Sequence, residues 1–208
     1  MKIILATLFT ITLCACSSTI PTNQEDISNQ VIVERDDFKQ QTWIRTPLYL
    51  SRQGFTDTFP VQLSFRSLYK GDKRAFIQLY VSSSNVDWGF YHSANGQDGY
   101  SFEFDEIDNE VSANTGMVTT EEVFGLIVPY TYLEKMASTD WKIKVYGKRN
   151  EGVFQVPASL SKAFLEKLNC YEQKTCYPKL WFHETSKLIC RYITANTGSW
   201  NILITVIE

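Results

Sequence analysis

Imidazole chemistry in this chain can come only from His92 and His183, the two histidines among 208 residues. That limits zinc sites and Ser-His-Asp schemes, and neither H-E-x-x-H nor G-x-S-x-G occurs. His92 follows Trp88 and Phe90 at period 2, so in a strand it lies on their face, as a satisfied or partly buried histidine. Cys170, Cys176, His183 and Cys190 are the ligand types of a Cys₃His zinc site, but their spacings match none of the common C-x₂₋₄-C patterns. Glu103, Asp105, Glu106, Asp108 and Glu110 supply carboxylate oxygens of the kind Ca²⁺ binds, without the EF-hand pattern. With Phe102 and Phe104 facing inward, Glu103 and Asp105 face water, so the run reads as a solvated strand edge. Gly147-Lys148 lacks the spacing of a phosphate loop, since position 142 is Lys and position 149 is Arg; with Lys142, Lys144 and Arg149 it reads as a basic hairpin turn. No catalytic residue, metal site or cofactor is expected.

Binding is the remaining chemistry. Net charge is −3, so the broad positive field that nonspecific nucleic-acid binding requires is missing, and nucleic acid is not an expected partner. Aromatic residues make up 14% of the chain, and Trp88, Tyr91 and Tyr100 offer faces suited to a small hydrophobic or glycan ligand.

The elements that position these residues follow from periodicity. Val61, Leu63, Phe65 and Tyr69, the turn Lys70-Gly71-Asp72-Lys73, then Ile77, Leu79 and Val81 predict a hairpin. Val86 to Ser93, the turn signals Asn95-Gly96 and Asp98-Gly99, and Tyr100, Phe102 and Phe104 predict another. Trp43 to Leu50 and Val123 to Val128 read as strands, the second central to the sheet. Trp141 to Val145 and Val153 to Val156 flank a turn. Pro129 and Pro157 open two short helices. The fold class is α+β: mainly antiparallel sheet with two short helices packed on it, over residues 31–169. Residues 170–208 read as a cysteine-containing β extension.

At the N-terminus, Met1-Lys2 precedes the apolar run Ile3 to Leu13, which is about half the length of a bilayer-crossing helix, and Cys14-Ala15-Cys16 follows. Leu13-Cys14-Ala15-Cys16 resembles the lipobox of the bacterial lipoprotein class, with Leu at −3, a small residue at −1 and Cys at +1. The resemblance implies that residues 1–15 are a signal peptide, that the Cys16 thiol takes a diacylglycerol, and that the new amine is acylated with a fatty acid such as palmitate. Ser17, standing where Asp would signal inner-membrane retention, implies the outer membrane. Residues 16–30 then read as a lipidated N-terminus and flexible tether. In an oxidising periplasm, Cys170 and Cys176 are expected to pair as a disulfide, leaving Cys190 odd, with a pairing of Cys190 to either of them as the alternative. The functional expectation is a lipid-anchored, noncatalytic envelope module that binds another protein or supports an assembly. A small-ligand module is the alternative.

Overall fold

A computed structural model describes residues 19–51, 61–114 and 117–174. Cys14, Cys16, Cys176, His183 and Cys190, and the strands expected after residue 187, lie outside the described residues.

The chain forms α1 (Gln24–Gln30), β1 (Ile32–Asp36), β2 (Gln41–Arg45), β3 (Tyr49–Leu50), β4 (Val61–Lys70), β5 (Lys73–Asn85), β6 (Tyr91–Gly96), β7 (Ser101–Asn114), β8 (Met117–Ile127), α2 (Tyr130–Met136), β9 (Trp141–Gly147), β10 (Glu151–Val156) and α3 (Ala158–Glu172). The strands make one sheet in the order β1-β2-β4-β5-β8-β7-β6-β9-β10, with β3 also against β4. Among the described residues, every strand pairing is antiparallel. The α+β expectation holds, with the sheet curled into a half-barrel and, among the described residues, three short helices rather than two.

Alternation along β4 and β5 turns Val61, Leu63, Phe65, Ile77, Leu79 and Val81 to one face, where all are buried. Their turn is the two-residue loop Gly71-Asp72, with Gly71 at φ +58, a conformation that a side chain would resist. Phe124 and Leu126 of β8 continue this face, and β8 is central, between β5 and β7. Against it lies α3, which buries Leu160, Ala163, Phe164 and Leu168. The Phe164 ring stacks on Phe65 at 5.3 Å between centroids. Each such fully buried side chain contributes roughly 1.5–3 kcal/mol. Pro157 leads into the helix, and Asp140 Oδ1 accepts the Ala158 N–H at 2.8 Å, satisfying a donor the helix leaves open. The Trp141 indole N–H donates to Ser161 Oγ at 3.0 Å, joining β9 to α3.

Two expectations are corrected here. Residues 16–30 are not a tether throughout: from Thr19 onward they belong to the fold. Asn23 caps α1 by accepting the Glu25 N–H at 3.1 Å, Ile20 and Ile27 are buried, and Gln24 bonds Glu166 of α3. A single parallel bridge, Thr19 to Leu50, ties the chain to β3. The second correction is at residue 170, where no boundary falls, because α3 runs on to Glu172. Cys170 sits in its last turn, in a disulfide whose other cysteine lies outside the described residues.

Trp43 to Leu50, expected as one strand, divides into β2 and β3. Pro47, which has no N–H to give a ladder, lies between them.

Candidate functional site

The loop between β5 and β6, residues 86–90, ends in an arrangement that local sequence does not explain. Phe90 has φ +53, a left-handed conformation rare for an aromatic residue. On both sides of it the backbone is held by one carboxylate: Gly89 N–H donates to Glu122 Oε2 at 2.6 Å, and Tyr91 N–H donates to Glu122 Oε1 at 3.2 Å. Glu122 belongs to β8 and is 5% exposed, on the same face as Phe124 and Leu126.

The turn after β9 closes on the same loop. Lys148 N–H donates to the Phe90 carbonyl at 3.2 Å and Arg149 N–H to the Gly89 carbonyl at 3.1 Å. The approach requires glycine at 147, where a Cβ would fall 2.3 Å from the Gly89 carbonyl oxygen. Strain of this kind, on the order of 1–3 kcal/mol, persists only where surrounding structure dictates it. What it achieves is display: Phe90 is 42% exposed, Val86 is 71% exposed, and Trp88 lies 6.2 Å from the Phe90 ring. The Arg149 guanidinium covers the other approach to Phe90, 5.4 Å from its centroid.

Beside this apolar knob is a cleft of about 290 Å³ lined by Trp88, Phe90, Tyr91, His92, Glu106, Asn109, Glu122 and Lys148. Tyr91 is buried, which pushes its hydroxyl pKa up, and Asn85 Nδ2 donates to that hydroxyl at 3.3 Å. Of the three aromatics expected to bind ligand, Trp88 and Tyr91 meet here. Tyr100 does not: at the opposite end of β6, it packs on Tyr132 at 4.5 Å and on Phe102 at 5.0 Å, inside an aromatic cluster that reaches Trp141. His92 is exposed at the cleft wall rather than partly buried, because β6 begins only at Tyr91 and the strand expected from Val86 is a loop. Both oxygens of Glu122 accept backbone N–H groups, so its role here is to hold the loop.

The other sequence features resolve as surface. Glu103, Glu106, Asp108 and Glu110 are exposed along β7, while Asp105 Oδ2 accepts from Gln78 Nε2 at 2.8 Å. Gln78 Oε1 in turn accepts from Arg66 Nε at 2.7 Å, and the Arg66 guanidinium lies 4.7 Å from the Tyr80 ring. The basic turn is divided: Lys144 pairs with Glu151 at 2.7 Å, and Lys148 and Arg149 serve the loop. Among the described residues, no group of three metal-ligating side chains converges, and no helix is long and apolar enough to cross a membrane. Glu122 and Gly89 were not singled out by sequence reasoning. The signal was present for Glu122, which shares its parity with Phe124 and Leu126. Comparison of the chain with family models, with curated proteins and with solved structures found no match.

Proposed function

We propose that this protein is a noncatalytic binding module of the bacterial envelope, lipid-anchored to the outer membrane through Cys16 and facing the periplasm, whose partner is another protein. The observation that supports this reading is the loop carrying Val86 and Phe90, whose exposed apolar side chains are held outward, beside the half-buried Trp88, by a buried carboxylate and a strained backbone. Aromatic anchors dominate the energetics of protein interfaces, and a loop fixed before association loses little entropy on binding. The test is a photocrosslinking amino acid at Val86 or Trp88, activated in intact cells, with Lys39 in the turn between β1 and β2 as control. A discrete adduct from the loop positions, absent from the control, is expected. Equal labelling at all three, or none in a folded and anchored protein, overturns the reading.

A second reading, a small hydrophobic or glycan ligand, draws on the adjoining cleft with Trp88 and Tyr91 in its wall. Saturable quenching of tryptophan emission by a glycan fragment, lost in Trp88→Ala, would favour it over a protein partner.

A further inference from the structure

The chain between the lipidation position and the first described residue is short. Cys16 is three residues before Thr19, which bridges Leu50 of β3, and Ile20 is already buried. Three residues span at most about 11 Å, against about 50 Å for a fully extended tether from residue 17 to residue 30. We propose that the occupant of the sheet margin around β3 and the start of β1 is the lipid–water interface of the membrane that holds Cys16, so that the domain rests on the bilayer along this margin.

The inference rests on lipidation at Cys16 and adds where the domain meets lipid. The bridge is parallel, so at Thr19 the chain runs in the same sense as Tyr49 to Leu50, and the reach of the anchor takes in Leu48. Leu48 is 40% exposed, and Ile32, at the start of the edge strand β1, is 45% exposed. Apolar side chains at this depth enter the headgroup boundary, which is several ångströms thick on each face of the bilayer. Leu48 and Ile32 lie on the side where β1 leaves backbone groups of the sheet edge unpaired by any other strand among those described. A bilayer over this margin shields a template for edge-to-edge association. The turn between β1 and β2, with Phe38 fully exposed, lies at the Lys70 end of β4, eight strand positions or about 27 Å from the level of Leu50. It therefore stands away from the membrane.

The full-length acylated protein, reconstituted in phosphatidylethanolamine–phosphatidylglycerol vesicles, tests this with a fluorescent amino acid at position 48 or 38 and a headgroup spin-labelled quencher lipid. Quenching at 48 should exceed that at 38 severalfold. A twelve-residue Gly-Ser insertion between Ser18 and Thr19 should bring 48 down to the level of 38 while the protein stays on the vesicles. Mass analysis of the N-terminal peptide separates the two layers of the argument. An unacylated Cys16 overturns anchoring and docking together, whereas an acylated Cys16 with equal quenching at 48 and 38 overturns the docking alone.

Discussion

Glu122 shows how much one side chain can do from inside a core. Burying a carboxylate is unfavourable unless its charge is well solvated by the protein, and here two backbone N–H groups provide that. Removing it takes the carboxylate acceptor from both buried donors. Glu122→Ala should therefore destabilise the protein by about 2–4 kcal/mol in urea unfolding, and Glu122→Gln, which keeps one acceptor, by less. A loss under about 0.5 kcal/mol for Glu122→Ala would show that the loop does not depend on the carboxylate. The inward position of Glu122 was legible from its spacing to Phe124 and Leu126. Its partners were not, because Gly89 and Tyr91 lie 33 and 31 residues away on another element and present only backbone.

Among the elements, those with turn chemistry and alternation in agreement were readable. Gly71-Asp72 between β4 and β5 and Lys148 to Asn150 between β9 and β10 are such cases. The helix α1 was hidden because seven residues present less than two turns, so one inward residue, Ile27, is all the apolar face it needs. Because α1 is part of the fold, Ile27→Ala should cost about 2–4 kcal/mol, measured as a lowered urea midpoint at unchanged slope. A pendant segment would give no change. The strand order was beyond local reading for a related reason. Phe102 of β7 pairs with Ala94 of β6 while Glu103 to Asn114 pair with β8, a change of neighbour that alternation does not encode.

Across the whole molecule, two tyrosine hydroxyls tie distant parts together. Tyr69 of β4 donates to Glu172 at the end of α3, where Arg74 also pairs with Glu172 at 2.8 Å. Tyr132 of α2 donates to Asp98 in the turn between β6 and β7, beside Lys135. Burial, then the neighbouring carboxylate, raises both hydroxyl pKa values well above the ordinary range. The folded chain thus holds these protons more tightly than the unfolded one. Their contribution is complete below about pH 10 and is lost as pH rises beyond it. Urea stability should fall as pH rises above about pH 10, and Tyr69→Phe should make that fall shallower. An unchanged slope with pH in the variant would remove Tyr69 from the account.

The contacts of α1 with α3 also set an order of events. Gln24 meets Glu166 and Ser159 meets Pro21, pairs separated by 142 and 138 positions in the chain. A ribosome releases residue 20 long before residue 160, so this segment can meet β3 early, but its α3 side has no surface to bury against until residues 159–166 have emerged. The contact between α1 and α3 therefore closes late in assembly, after the β3 side of the same segment has had its partner in place.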